Sequence, residues 1–363
     1  MAKILCIADA PGPAEFLAPV IPLLLKGNDV SIVAVGTAMS VLEPLGAMRC
    51  DNESAVVDVF VNSKPDFLVS AISSLTHGPY VNNAFLEIAR ERNVPVICLQ
   101  DIWGNHRMPQ NKDIMSRINA VCVMDEYAAS LWREDGFAKD IFITGSPAFD
   151  RFVVLDVKKE RARLRAQLHL DDTDRVILFA GQGTPQHIEA DKKTFAFITQ
   201  AIRRLSAGTP VKLIARYHPR AIETGYYEEY AHGIEMINTS GLHAQFSDEI
   251  LPIADVIVSM FSTNLVHACY VRIPGVSVLS PEWGRAILNN IGLDDFPPNT
   301  MRATAGIYGS DPVELTDIFT KIFSDESFRS RMKKAQEDNF SLDAKAAERA
   351  KNAIISISLT KSQ

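Results

Sequence analysis

A histidine and two arginines lie close together in the stretch Arg216-Tyr217-His218-Pro219-Arg220. They lie at the end of residues 211–217, an apolar run that is typical of a buried strand. Guanidinium groups bind phosphate oxygens through paired hydrogen bonds, and a histidine can donate to the same oxygens. We therefore predict that Arg216, His218 and Arg220 bind a phosphate or a diphosphate. The alternative is that the histidine is structural.

Small residues and hydroxyls form two further segments that suit phosphate oxygens. Gly181-Gln182-Gly183 follows the predicted strand Arg175–Ala180, and glycines allow a backbone to approach a ligand closely. Ser262 and Thr263 join a predicted strand to a helix, where hydroxyls and free amides can bind anions. We predict that both glycines and both hydroxyl residues bind the same ligand. The alternative for the hydroxyl residues is a plain helix cap.

Three carboxylates in the first third of the chain are candidates for proton transfer. Asp9 and Glu15 flank the turn Pro11-Gly12-Pro13, and Asp101 lies in a loop with tryptophan, histidine and arginine. A carboxylate beside a hydroxyl can take its proton as a general base. We predict this role for one of the three and leave the choice open, with His218 as a further catalytic candidate. The alternatives are that Glu15 complements a helix dipole and that the loop is a polar surface turn.

Short apolar runs alternate with amphipathic segments, which predicts two α/β domains. Continuous apolar runs such as Lys3–Ala8 indicate strands buried on both faces of a parallel sheet, and residues 15–26 are predicted to form the next helix. The alternation makes each sheet doubly wound and Rossmann-like. Ligands bind at the carboxyl ends of such strands. We predict one α/β domain over 1–155, a second over 156–324 that faces it across a cleft, and a helical tail over 325–363.

The composition narrows the class of protein and its partners. The 363 residues carry a formal net charge of -7, which is unlike a nucleic-acid binder. Five cysteines lie far apart without metal-type spacing, so we predict buried, reduced thiols and no metal. The sequence has no P-loop, no long apolar run and no secretory signal pattern. We therefore expect a cytoplasmic protein without a transmembrane segment, and a homodimer remains open.

Three stretches resemble the GT-B superfamily of glycosyltransferases and related enzymes. Residues 254–279 are similar to its strand, small-residue loop, helix and following strand. Residues 141–150 resemble the interdomain segment of UDP-N-acetylglucosamine 2-epimerases and CDP-glycerol glycerophosphotransferases. His218-Pro219 resembles the His-Pro motif of glycerophosphotransferases and bacterial sialyltransferases, which meets the donor's phosphate. The resemblance implies a GT-B fold in which the domain over 1–155 binds the acceptor and the domain over 156–324 binds a nucleotide-activated donor. It also implies that the C-terminal helical tail packs back on the first domain.

The sequence departs from these families at two positions. Many GT-B enzymes carry a glutamate that holds the donor ribose, and the matching residue here is His267, which departs from that contact and which we keep among the predicted nucleotide-binding residues. The epimerases carry a His-Arg pair where this chain has Gly181-Gln182-Gly183.

These patterns predict a metal-independent glycosyltransferase, or a related transferase, that uses a nucleotide-activated donor. The predicted partners are a nucleotide-sugar or similar donor, which is a co-substrate rather than a cofactor, and an acceptor of unknown kind. One alternative is a non-hydrolysing epimerase of the UDP-N-acetylglucosamine 2-epimerase type. The other is a nucleotide-binding protein that has lost catalysis.

Overall fold

The computed structural model describes residues 1–72, 81–182, 187–205, 210–218, 225–239, 248–280, 288–289 and 292–360. The chain divides into two compact units. The first unit comprises Met1–Arg151 together with Ser341–Gln363, and the second comprises Phe152–Phe340. The predicted tail over 325–363 is therefore divided between the two units.

The first unit is built on a sheet of seven parallel strands. These are β1 (Lys3–Ala8), β2 (Asp29–Ala34), β3 (Met48–Arg49), β4 (Phe67–Ala71), β5 (Val96–Leu99), β6 (Ala120–Val123) and β7 (Asp140–Ile143). Their order across the sheet is β3-β2-β1-β4-β5-β6-β7, and every neighbouring pair is parallel. All residues of the central strands β4, β5 and β6 are buried, as continuous apolar runs predict for a sheet covered on both faces.

Helices connect these strands. Up to residue 134 they are α1 (Pro11–Leu17), α2 (Ile21–Leu24), α3 (Met39–Leu42), α4 (Ser54–Ser63), α5 (Val81–Glu91), α6 (Ile114–Arg117) and α7 (Glu126–Glu134). The single helix predicted over residues 15–26 is wrong, because the chain forms the separate helices α1 and α2 there. Pro19 lies between them, and proline lacks the amide hydrogen that a continuing helix needs.

The second unit repeats the architecture with six parallel strands. These are β8 (Arg175–Ala180), β9 (Val211–Arg216), β10 (Met236–Asn238), β11 (Val256–Ser259), β12 (Gly275–Val278) and β13 (Ala305–Ile307). Their order is β10-β9-β8-β11-β12-β13, again with parallel neighbours throughout. The prediction of two Rossmann-like parallel-sheet domains is confirmed.

The remaining helices complete both units. They are α8 (Asp150–Val153), α9 (Val157–Gln167), α10 (Ile188–Leu205), α11 (Tyr226–Tyr230), α12 (Thr263–Tyr270), α13 (Pro297–Thr300), α14 (Pro312–Ser324), α15 (Glu326–Asn339) and α16 (Ala346–Thr360). Helix α16 belongs to the first unit, where Asp150 accepts hydrogen bonds from the Ala346 and Ala347 amides at 3.2 and 3.0 Å. All five cysteines are buried and none forms a disulfide, as predicted.

Candidate functional site

Parallel strands bring several of the predicted residues to one edge of the second sheet. Gly181 follows β8 directly, Arg216 ends β9, and Ser262 lies three residues beyond β11. Because β9, β8 and β11 are neighbours in the sheet, their carboxyl ends lie side by side. We call Gly181, Gln182, Arg216 and residues 261–263 the carboxyl-edge cluster.

Hydrogen bonds tie the loops of the carboxyl-edge cluster together. The Gly181 amide donates to the Arg216 carbonyl oxygen at 2.8 Å. The Gln182 side-chain oxygen Oε1 accepts from the Phe261 amide at 2.9 Å. The loops after β8, β9 and β11 therefore form one connected surface rather than three independent turns.

The carboxylate of Asp191, on α10, is buried and forms a hydrogen bond to the carboxyl-edge cluster. Asp191 is 1% exposed. It accepts hydrogen bonds from the Gln182 amide at 2.5 Å and from the hydroxyls of Tyr226 and Tyr227 at 2.6 and 2.7 Å. Burial raises the pKa of Asp191, while these three donors lower it. Sequence reasoning missed Asp191, because it lies within a helix far from any strand end and only the tertiary fold brings it under the loop.

Glycine is required at position 181 for steric reasons. A β-carbon there would lie 1.8 Å from the Tyr227 hydroxyl and 3.0 Å from the Arg216 carbonyl oxygen. The Tyr227 ring cannot withdraw, since it stacks on Tyr217 at 4.0 Å and 5° and packs edge-on against Phe179. Packing against Tyr227 therefore explains the glycine, and ligand contact at Gly181 stays a prediction.

The serine in the cluster caps a helix. Ser262 is the N-cap of α12, and its Oγ accepts from the Asn264 amide at 3.2 Å. Thr263, the first residue of α12, is exposed. The Asn264 side-chain oxygen is buried and has no hydrogen-bond partner within the described part of the chain. Helix α12 therefore begins at the carboxyl-edge cluster. The hydroxyls of Ser262 and Thr263 and the side-chain amide of Asn264 lie at its first turn.

The two candidate histidines of the second unit lie in different environments. His218 follows β9 by two residues and is half-buried. His267 is 5% exposed within α12, and its ring lies 4.4 Å from the Phe152 ring. Two other predicted ligands, Gly183 and Arg220, lie outside the described residues.

In the first unit, two of the three candidate carboxylates are buried at the carboxyl edge of the sheet. Asp9 follows β1 and is 1% exposed, and Asp101 follows β5 by two residues and is 6% exposed. Burial, with a smaller contribution from the negative charge of Asp9, raises the pKa of Asp101 to about 7, against hydrogen bonds from nearby backbone amides and Asn105. A carboxyl with a pKa near neutrality can both accept and donate a proton.

Glu15 differs from the other two carboxylates. It lies in the second turn of α1, and its side chain is 44% exposed, 3.9 Å from the Arg151 guanidinium. Since α1 begins at Pro11, Glu15 lies outside the first turn in which a carboxylate complements the helix dipole. An exposed ion pair of this kind contributes little stability.

The loop after β5 contains further buried polar groups. The Trp103 indole Nε1 donates to the carboxylate of Asp125 at 3.0 Å, and Asp125 also caps α7 by accepting from the Ala128 amide at 2.7 Å. Burial raises the pKa of Asp125 to about 6. The sequence analysis did not identify Asp125 as a candidate site residue. Its position could have identified it, because Asp125 follows the apolar strand β6 as Asp9 follows β1.

Within the described ranges, no group of three or more histidine, cysteine, aspartate or glutamate side chains could hold a metal ion. None of the described helices has the length and apolar character needed to cross a membrane.

Comparison of the sequence with protein families and with curated proteins finds no match. Solved structures are similar across almost the entire chain. The Staphylococcus aureus MnaA–UDP structure is 16% identical with a TM-score of 0.71, covering 98% of this chain and 96% of that one. UDP-GlcNAc 2-epimerase from Neisseria meningitidis, bound to UDP-GlcNAc, is 14% identical with a TM-score of 0.68, covering 99% and 100%.

A glycosyltransferase from Rickettsia africae is also similar, at 11% identity and a TM-score of 0.61, covering 98% of each chain. At these identities the likeness defines the fold. The chain has the GT-B fold, which it shares with structures named as UDP-N-acetylglucosamine 2-epimerases and as a glycosyltransferase.

Proposed function

We propose that this chain is an enzyme of nucleotide-activated sugars whose second unit binds the nucleotide diphosphate. The carboxyl-edge cluster carries the proposal. It combines the guanidinium of Arg216 with the beginning of α12 at Ser262, on two strands that flank β8 in the sheet. Free amides at a helix start and a guanidinium both favour phosphate oxygens.

We extend the proposed site to its neighbours in the sequence. His218, Gly183 and Arg220 would contact the same diphosphate, and Thr263 would add a hydroxyl. His267 would contact the ribose through its ring, which is supported by its position one turn into α12. The nucleotide complexes named among the similar structures, with UDP and UDP-GlcNAc, support a uridine nucleotide as the first ligand to test.

We favour epimerisation at carbon 2 of the sugar as the reaction. The structure from Neisseria meningitidis and several other similar structures are named as UDP-N-acetylglucosamine 2-epimerases. Inverting a carbon that bears a hydrogen requires a group that removes a proton and a group that returns it. We propose Asp101 and Asp9 for this exchange, because both are buried and the pKa of Asp101 lies near neutrality.

Glycosyl transfer is the second candidate. It is supported by the segment Gly181-Gln182-Gly183, which replaces the His-Arg pair of the epimerases, and by the likeness to the Rickettsia africae glycosyltransferase. In that reaction Asp101 or Asp9 would take the proton of the acceptor hydroxyl. Arg216 would stabilise the charge that develops on the departing diphosphate.

Nucleotide binding is tested by calorimetric titration with UDP, CDP, CMP, GDP and ADP. Arg216→Ala is compared with Arg175→Ala, which removes an arginine from the opposite end of the neighbouring strand β8. A charge-assisted hydrogen bond contributes about 1.5–3 kcal/mol, so we expect Arg216→Ala to weaken binding of one nucleotide about 10- to 100-fold. Arg175→Ala should leave binding unchanged. The proposal fails if no nucleotide binds, or if both variants weaken binding equally.

The two reactions are separated by incubating the protein with UDP-N-acetylglucosamine alone in deuterium oxide. An epimerase converts part of the substrate and places deuterium at carbon 2 without an acceptor. A transferase leaves that carbon unlabelled until an acceptor is added. Binding without either change would support the catalytically lapsed alternative.

A further inference from the structure

A continuous chain of hydrogen bonds, buried except at its Asp135 end, connects Asp101 to Asp135 in the first unit. Its members are Asp101, Asn105, Gln100, His106 and Asp135, and we call it the Asp101–Asp135 chain. Asn105 Nδ2 donates to Asp101 Oδ1 at 2.8 Å, and Gln100 Nε2 lies 2.9 Å from Asn105 Oδ1 and 3.2 Å from His106 Nδ1. His106 Nε2 lies 2.9 Å from Asp135 Oδ2.

The orientation of Gln100 sets the direction of every bond in this chain. Gln100 Oε1 accepts from the Trp132 indole Nε1, at 2.9 Å, and an indole N–H can only donate. Gln100 Nε2 is therefore the donor to both Asn105 Oδ1 and His106 Nδ1. Since Asn105 Oδ1 accepts, its amide nitrogen must face Asp101. Since His106 Nδ1 accepts, the ring carries its proton on Nε2 and donates it to Asp135.

The far end of the chain is held by charge and packing. Asp135 accepts from Arg107 Nε at 2.6 Å and Nη2 at 3.0 Å. Burial of Asp135 raises its pKa, but the hydrogen bonds from Arg107 and His106 outweigh it and lower the pKa overall. Burial lowers the pKa of His106 to about 4, so the ring is neutral at physiological pH. The ring also stacks on Trp132 at 4.1 Å and 19°, which fixes its plane.

At the near end, the chain holds one oxygen of the Asp101 carboxyl. Oδ1 is occupied as an acceptor from Asn105. Oδ2 points toward Gly12, where an added β-carbon would lie 3.0 Å away. The charged group that acts on this carboxyl from the neighbouring loop is Asp9, and backbone amides of residues 101 and 102 also contact it.

We infer that Asn105, Gln100 and His106 are positioning residues that hold Asp101 with Oδ2 toward residue 12, and that this oxygen exchanges the substrate proton. The role of Oδ2 in proton exchange rests on the proposed function. The orientation of Asp101 by the three residues is a property of the protein without substrate. Asn105, Gln100 and His106 are neutral, so they fix the orientation of Asp101 relative to Asp135 without adding a charge next to Asp101.

Paired variants of His106 and Asn105 test the chain. His106→Phe keeps the ring on Trp132 but removes both nitrogens, whereas His106→Gln retains one acceptor and one donor. Asn105→Leu removes the donor to Asp101. Losing that donor destabilises the carboxylate, so the pKa of Asp101 should rise by about one unit in Asn105→Leu. The rise should be smaller in His106→Phe and should be largely reversed in His106→Gln.

The primary readout is the titration of the Asp101 carboxyl in the free protein, by carbon-13 NMR with Asp101→Asn to assign the signal. The second readout is turnover of UDP-N-acetylglucosamine, where we expect His106→Phe to lower kcat about 10- to 100-fold with KM changed less than about twofold. Unchanged carboxyl titration in both His106→Phe and Asn105→Leu overturns the inference. Shifted titration without any turnover of UDP-N-acetylglucosamine by the wild-type protein leaves the positioning role intact and rejects the proposed epimerisation instead.

Discussion

The replacement of Gly181 by alanine provides a direct test of the packing beneath the carboxyl-edge cluster. The added β-carbon would lie 1.8 Å from the Tyr227 hydroxyl, far inside contact distance. The hydroxyl is held by its 2.7 Å hydrogen bond to Asp191, and the ring is held by the stack on Tyr217. The variant must therefore either break that hydrogen bond or displace the loop.

The magnitude follows from these two contributions. Overpacking of a filled core costs about 1–3 kcal/mol, and loss of a hydrogen bond to a charged group costs about 1.5–3 kcal/mol. We expect Gly181→Ala to lower the free energy of unfolding by about 3–6 kcal/mol, a large part of the roughly 5–15 kcal/mol available to a domain. Tyr227→Phe alone should cost only the hydrogen bond.

A double-mutant cycle isolates the clash. In Gly181→Ala with Tyr227→Phe, the hydroxyl is gone and the nearest ring carbon lies 3.1 Å from the β-carbon, which is tight but tolerable. The double variant should be more stable than the sum of the single effects predicts, by about 2 kcal/mol. Urea unfolding and scanning calorimetry measure the three free energies. Additive effects would refute the clash between position 181 and the Tyr227 hydroxyl.

Three further predictions concern the first unit. Burial raises the pKa of Asp101 to about 7, so the stability that this group contributes is complete below about pH 4 and is lost as pH rises through 7. The free energy of unfolding of Asp101→Asn, measured with urea, should therefore rise relative to that of the wild type by up to about 4 kcal/mol between pH 4 and pH 8. A difference between the two proteins that does not change with pH would contradict this. Asp150→Ala should remove the cap of α16, costing about 1 kcal/mol and speeding amide exchange in Ala346–Thr360, whereas unchanged exchange would argue against the cap. Gly145→Ala should lower the free energy of unfolding by about 1–3 kcal/mol more than Gly46→Ala does. Both glycines have φ near +80°, but only at Gly145 does a side-chain carbon lie 2.9 Å from the new β-carbon. Equal losses of Tm in the two variants would exclude the packing contribution.

Much of the architecture was predictable because it is encoded locally. Runs of consecutive apolar residues such as Lys3–Ala8 and Arg175–Ala180 predicted strands with these bounds, since only a strand covered on both faces needs an unbroken apolar run. The helix predicted over residues 15–26 is wrong because Pro19 interrupts it. Proline lacks the amide hydrogen that a continuing helix needs, whatever the spacing of the apolar residues around it. The position of loops after strands also predicted that Gly181, Arg216 and Ser262 share one edge.

The sequence by itself determined the two parallel sheets, the order of their elements along the chain and the polar loops at the strand ends. Only the tertiary structure decided which groups support those loops. Asp191 lies eleven residues beyond the end of β8, and Asp135 lies 34 residues beyond Asp101, yet burial and hydrogen bonding bring each to a loop that no spacing rule links to it. The reason is physical: strand and helix periodicity is set by neighbouring residues, whereas the pKa of Asp101 and the single tautomer of His106 depend on what is packed around them in space.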